Sequence, residues 1–373
     1  MQCESQNLTD KKYFNLHSSG ISEYNFVDIV KFICAILVVS IHVVPFGSSD
    51  DQILKLLNYG IKNCFSRIAV PLFFVMSGFF LYRKTSVGNF SLLPTKAYII
   101  KLFRLYMIWT VIYFPFRIKS ILVNGKGIVH GIFLYIRDIV FTGSHFHLWY
   151  FPALIFSVVI ISYLLSRKIE LKRILSVAAF FYAVGLLAQS WFGIIIPLRE
   201  NVPELWAVLK VLEKIIVTTR NGLFDGFLFV GVGAYFAFYG FKIQKKTAFI
   251  GFVASYILMF IEAFVVKYFN FVREYDMYVF LVPLTFFAFI LVLNCRIPNN
   301  IIYKKIRVLS SLIFYIHPCV NRFIIKIFNL IEFNIAKTCL MFLMTVIVSI
   351  GLSYLIYSIS QRSHFMWLKR LYS

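Results

Sequence analysis

A chain of 373 residues that is 60% hydrophobic, contains 43 Phe and has a mean hydropathy of +0.80 lies outside the range of soluble domains and reads as a polytopic membrane protein. Its formal net charge of +22 does not point to nucleic acid, because the Lys and Arg residues fall in short clusters between apolar runs and form no basic domain. Six cysteines, Cys3, Cys34, Cys64, Cys295, Cys319 and Cys339, show neither paired spacing nor a CxxC, so no disulfide framework and no metal site is expected.

The first 25 residues are polar and mixed in charge, with no short apolar core followed by a small-residue cleavage site. No removable signal peptide is therefore expected, and the first helix itself serves as the insertion signal. Ten apolar runs are long enough to span a bilayer: about 26–46, 64–82, 97–117, 147–165, 172–195, 221–240, 247–268, 276–295, 308–329 and 336–358. A shorter piece at about 128–141 is expected to lie along the interface or to re-enter, and the stretch at about 196–220 is similarly amphipathic. The loops after the second, fourth, sixth and eighth runs are the most basic, which places both termini in the cytoplasm. The expected fold is thus an all-α polytopic membrane protein of about ten transmembrane helices. It divides into an N-terminal segment 1–25, a membrane domain 26–358 and a C-terminal cytoplasmic tail 359–373.

The first run carries ionisable groups that need a reason. In DIVKFICAILVVSIH, Lys31 and His42 are eleven residues apart, close to three helical turns, so one face carries a cation near one membrane surface and an imidazole near the other. Asp28 is placed to pair with Lys31 at i,i+3. Simple snorkelling at the two interfaces is the plainer reading of the same residues.

Further along, VPLFFVMSGFFLY (70–82) places Pro71 in an apolar run, where it invites a kink, and Ser77 and Gly78 where a neighbouring helix can approach closely. Arg67 lies just before it, at the outer membrane level, and seeks carboxylate, phosphate or carbonyl partners. Lys101 and Arg104 open the third helix three residues apart; they form either a phosphate-binding pair or ordinary positive-inside charge. SHFHLWY sets His145 and His147 beside Trp149 and Tyr150, as an interfacial anchor or an acceptor site. In TTRNGLFDGF, Arg220 and Asn221 offer donors at an outer helix start, with Asp225 about a turn further on as a partner for Arg220. In FYIHP, His317 falls near mid-membrane, followed by Arg322 and Lys326 at helical spacing, so that helix either lines a polar path or holds a structural histidine.

Taken together, D-x-x-K-x10-H, VPLFFVMSGFF, K-x-x-R, HLWY, RNGLF and YIHP resemble, in order and over essentially the whole chain, the acyltransferase-3 family of bacterial membrane acyltransferases. The chain is also similar to the membrane domain of vancomycin-resistance serine racemases. The resemblance implies transfer of an acyl group, usually acetyl, from cytoplasmic acyl-CoA to a hydroxyl of an extracytoplasmic acceptor such as a surface glycan. It makes His42 the match for the family's essential histidine and places Lys31, Lys101 and Arg104 at the donor, where the family often has arginines. Lysine binds phosphate as a point charge and lacks the bidentate fork.

The chemistry fits that layout. A histidine near the acceptor takes the hydroxyl proton as it attacks the thioester, the basic cluster holds the CoA phosphates, and Arg67, His147, Arg220 or Asn221 orients the acceptor or steadies the oxyanion. The residues leave direct transfer and an acyl-histidine intermediate open. The expected activity is a membrane O-acetyltransferase in the cytoplasmic membrane, with acetyl-CoA as donor substrate and no permanently bound cofactor. The rival from another class is a transporter with Lys31, His42, His317 and Arg322 along its path; a third is a binding or sensing module that has kept the fold without the activity.

Overall fold

The computed structural model describes residues 24–47, 51–85, 90–123, 125, 127–328 and 335–373. The segment 1–25 and its two lysines, Lys11 and Lys12, lie outside the described residues except for Tyr24 and Asn25. Among the described residues there is no strand and there are fifteen α-helices. The first eight are α1 (Asn25–His42), α2 (Gln52–Asn63), α3 (Ala69–Tyr82), α4 (Leu93–Tyr113), α5 (Pro115–Leu122), α6 (Ile128–Phe141), α7 (Tyr150–Ser166) and α8 (Leu171–Leu187). The rest are α9 (Leu198–Asn201), α10 (Pro203–Ile216), α11 (Phe227–Tyr239), α12 (Lys245–Tyr268), α13 (Leu281–Asn294), α14 (Ile301–Phe328) and α15 (Ile335–Ser360).

Each of the ten apolar runs falls on one of these helices, and the chain is an all-α polytopic membrane protein. Six stretches are individually long and apolar enough to cross a bilayer, and two more become so if the bent pairs Leu93–Tyr113 with Pro115–Leu122 and Leu171–Leu187 with Phe192–Asn201 each form one span. Tyr150–Ser166 and Leu281–Asn294 are apolar but shorter. The bend after α4 is 65° and coincides with Pro115, whose ring and missing N–H interrupt the ladder. The two amphipathic stretches form α6 and the α9–α10 pair. The last residues do not trail away: a 3-10 helix, Ser363–Leu371, returns to α4, where Trp109 Nε1 donates to the Leu371 carbonyl at 3.0 Å.

Hydrocarbon gives helices no hydrophobic reason to associate, so close backbone approach must supply the attraction. Between α3 and α11 it does. A Cβ on Gly78 would collide with the Val230 carbonyl oxygen, and one on Gly233 with that of Val75, so the two glycines let each backbone lie in the groove of the other. The close approach that Ser77 and Gly78 suggested is realised through Gly78.

The pairing expected between Asp28 and Lys31 is replaced by a better one. Arg307 on α14 grips the buried Asp28 carboxylate with both arms of its fork, Nε to Oδ1 at 2.8 Å and Nη2 to Oδ2 at 2.7 Å, while Lys31 Nζ sits 4.9 Å from the centroid of the Phe80 ring. A planar guanidinium matches a carboxylate in a way an ammonium one turn away cannot.

Substituting Gly233→Val should push α11 off α3 and lower stability by about 1–3 kcal/mol, the usual cost of overpacking. Thermal unfolding in detergent measures this, and Gly351→Val, where a Cβ meets nothing within 4 Å, should leave the midpoint nearly unchanged.

Candidate active site

The stagger along α1 puts Lys31 and His42 into two different cavities. The first chamber, about 400 Å³, is lined by Lys31, Lys101 and Arg307 together with Tyr98, Ser77 and the backbone-anchored end of the chain, Tyr372 and Ser373. The second is only about 40 Å³, little more than the roughly 30 Å³ that one water occupies in the liquid. Its walls bring together His42, Arg67, His147 and Arg220, four residues far apart in sequence, with Asp225 and Asp276.

Tyr150 and Phe314 line both chambers. Their ring centroids are 5.9 Å apart, and Phe73 closes a triangle at 6.2 Å from Tyr150 and 6.1 Å from Phe314. The Tyr150 hydroxyl donates to the Phe73 carbonyl at 3.2 Å and lies 2.9 Å from Ser77 Oγ, which fixes the ring as a partition.

Local structure delivers each side chain. Gly143, at φ +87° and with no room for a Cβ beside Trp149 N, permits the turn that folds His145 and His147 beneath the start of α7. His145 then stacks on Tyr113 at 4.5 Å, and its Nδ1 lies 3.1 Å from that of His147. In α14, Pro318 lacks the N–H that would bond Phe314, and His317 Nδ1 lies 2.9 Å from that carbonyl and 3.1 Å from Ile313 O. Nδ1 therefore carries the hydrogen, and Nε2 is left as a fully buried acceptor. The His317 ring stacks against His42 at 5.6 Å and lies 5.5 Å from His147.

Asp276, in the segment before α13, organises the guanidiniums. Its Oδ1 accepts from Arg67, and its Oδ2 from Arg220 at 3.2 Å; Arg67 also donates to Asn63 Oδ1 at 3.2 Å, and Arg220 lies 5.0 Å over the Trp149 ring. Asp225, expected to pair with Arg220, is displaced from that role by Asp276, and its buried Oδ1 has no partner among the described residues. Asn221 caps the π-helical turn Gly222–Gly226: its Oδ1 accepts from Leu223 N at 2.9 Å and Phe224 N at 3.1 Å, and its amide donates to Thr218 O at 2.8 Å. Its carboxamide is committed to the backbone, and it does not line the pocket. Arg104 likewise stands apart from the first chamber's wall, exposed and donating to Ser373 O at 2.8 Å.

Unsatisfied polar atoms converge on the small chamber. Nε of Arg67, Nε of Arg220, Nε2 of His147 and Oδ1 of Asp225 are all buried without hydrogen-bond partners among the described residues. Such orphans are rare and costly singly, and four of them belong to residues that line this one pocket. Asp276, Arg307 and Phe314 escaped the sequence reading, and Tyr150 was visible there only as a neighbour of the two histidines, not as a wall between chambers. An acidic residue opening an apolar run, as Asp276 does in REYDMY, was the available signal for the first.

The fold and these two chambers define a multi-pass membrane protein with polar cavities inside its helical bundle. Residues 24–357 match the family described as "Acyltransferase domain", and the chain belongs to that acyltransferase-3 family. It is 29% identical over 354 residues to an amino-acid racemase of Enterococcus faecalis, covering 91% of this chain and 46% of that protein. It is also 29% identical over 301 residues to a serine/alanine racemase of Enterococcus gallinarum, covering 78% and 40% respectively. The chain thus spans less than half the length of these curated relatives. No solved structure matches it.

Asp276→Asn should destabilise the protein by about 3–5 kcal/mol, because it leaves two guanidiniums without their shared counter-charge. Asp225→Asn, at a carboxylate with an unpartnered Oδ1, should cost much less. Paired thermal unfolding curves of the two variants decide this.

Proposed function

We propose that the protein is a membrane O-acyltransferase that moves an acyl group, acetyl in the simplest case, from cytoplasmic acyl-CoA to a hydroxyl of an extracytoplasmic acceptor, a cell-surface glycan. The observation that carries this reading is the pair of chambers that meet at Tyr150 and Phe314, one lined by cations and the other by His42 and four unsatisfied polar atoms.

In this reading the first chamber faces the cytoplasm. Lys31, Lys101 and Arg307 attract the CoA phosphates as charges, and Arg104 adds its own at the mouth once it lets go of the Ser373 carbonyl. The pantetheine arm then runs towards the aromatic partition. On the far side, His42 takes the proton of the acceptor hydroxyl as its oxygen attacks the thioester carbonyl. The C–S bond breaks, the thiol leaves as CoA, and the proton on the imidazole neutralises it. The free Nε groups of Arg67 and Arg220 are suited to the oxygen that gains negative charge, and the Asp225 carboxylate to a second hydroxyl of the acceptor. Phe146 and His317 pack against the base, and His147 lies in turn against His317. His42 lining one cavity while Lys31 lines the other keeps a transporter with His317 on its path as the reading to beat.

The test incubates purified protein in vesicles with radiolabelled acetyl-CoA and an extract of surface glycans. Native protein should place label in an alkali-labile ester, and His42→Ala should lower the rate by about 10²–10⁴-fold, the usual worth of a general base. Lys101→Ala should raise KM for acetyl-CoA with a smaller change in kcat. Equal labelling by native protein and His42→Ala would remove His42 from the chemistry, and solute flux without acyl-CoA dependence would replace the reading with transport.

A further inference from the structure

Beside the polar pocket lies a third cavity, about 430 Å³, between α8, the turn at Phe192 and α10. Its size falls within the usual range for small-molecule sites. Leu205, Leu209, Leu212 and Ile216 of α10 face it at helical spacing, so one stripe of that helix forms a wall. Val184, Leu187, Ile195 and Leu198 extend this aliphatic wall, which favours hydrocarbon over water, while Gln189, Thr218 and Thr219 add polar groups to the lining. Only one rim is charged. There Glu213 accepts from Lys210 at 2.9 Å and from Arg273, and those two cations lie 5.2 Å over Trp206 and 5.5 Å over Phe192. The hydrogen bond from Arg273, then that from Lys210, holds the Glu213 carboxyl below the usual carboxylate range, so the rim is ionised at neutral pH. An aliphatic bore with one ionised edge fits an amphiphile, with its tail inside and its hydrated head at the rim.

Two features tie this cavity to the reaction site. Thr218 and Thr219 line it while the next residue, Arg220, lines the polar pocket; on the facing segment Glu274 and Asp276 divide in the same way. Val217, which joins α10 to this shared wall, is a β-branched residue at φ +66°, a conformation that such side chains rarely adopt. None of the described side chains of α10 is buried.

We propose that this cavity binds the hydrocarbon tail of a lipid-anchored acceptor, whose polar head reaches the pocket at Arg220. The role given to the head rests on the acyl-transfer reading; the binding of the tail does not. Bulk phospholipid offers the same hydrocarbon, and the test separates the two sources.

Full-length protein in phosphatidylglycerol nanodiscs is photolabelled with a long-chain alkyl β-glucoside carrying a mid-chain diazirine. Label should map to α8 and α10 and should be displaced by unlabelled alkyl glucoside. Leu209→Trp, which fills the cavity, should lower labelling by about tenfold, as expected for lost burial of a few methylenes. Leu209→Met should retain it, and Leu205→Trp provides a second occlusion should the first variant fold poorly. In the transfer assay, the filled variant should lose transfer to the alkyl glucoside and keep transfer to the tail-free methyl glucoside. Label spread over lipid-facing residues such as Val253 and Ile347, or displaced equally well by added phosphatidylglycerol, would overturn the assignment, as would equal loss of transfer to both glucosides. If native protein transfers to neither, the acyl-transfer reading fails and the photolabel alone decides the cavity.

Discussion

A charge carried into a helical bundle surrounded by hydrocarbon must find its counter-charge inside, because the desolvation cost is several kcal/mol per ion. Asp276 does this for two arginines at once. Arg67 comes from the 3-10 turn ahead of α3, Arg220 from the segment ahead of α11, and Asp276 itself precedes α13, so one carboxylate pins three distant stretches of chain. Each guanidinium also keeps a buried Nε without a partner among the described residues. At the other chamber Asp28 on α1 does the same for Arg307 on α14. In both places an arginine that lines a cavity is oriented by a carboxylate, and the ion pairs that hold the bundle also aim its donors.

The helices were legible because a bilayer demands about 20 apolar residues per span, a signal strong enough to survive charges inside it. The pairings were not, and for one physical reason. Sequence spacing sees partners only one turn away on the same helix, so it matched Asp28 with Lys31 and Asp225 with Arg220. The structure prefers partners 279 and 56 residues apart, Arg307 for Asp28 and Asp276 for Arg220, because fork geometry and burial outweigh proximity along the chain. Asn221 shows the opposite case. Its polarity at a helix start was visible, and capping is what an asparagine there does best. The convergence of His42, Arg67, His147 and Arg220 on one pocket follows from no periodicity; motif resemblance placed them on one site, and the folded backbone supplies the distances.

Under the proposed acyl transfer, two substrates from opposite membrane faces have to meet without opening a path for water and ions. Phe73, Tyr150 and Phe314 meet that requirement with three rings about a side chain's width apart, one of them held by its hydroxyl to the Phe73 backbone. Tyr150 and Phe314 present one side to the cations and the other to His42. A small rotation of either ring would join the chambers, whereas the backbone around them is fixed by the glycine contacts of α3 with α11 and by the His317 bonds that repair the Pro318 gap.

The small chamber sets a further condition. Under the proposed acyl transfer, a chamber of about 40 Å³ beside one of about 400 Å³ leaves most of an acceptor outside it. The cavity beside α10 adjoins the small chamber in the chain: Thr218, Thr219 and Glu274 line that cavity, and Arg220 and Asp276 line the pocket. A tail seated there would convert a collision between membrane and site into an intramolecular search over a few ångströms, which is where effective concentration gains are largest.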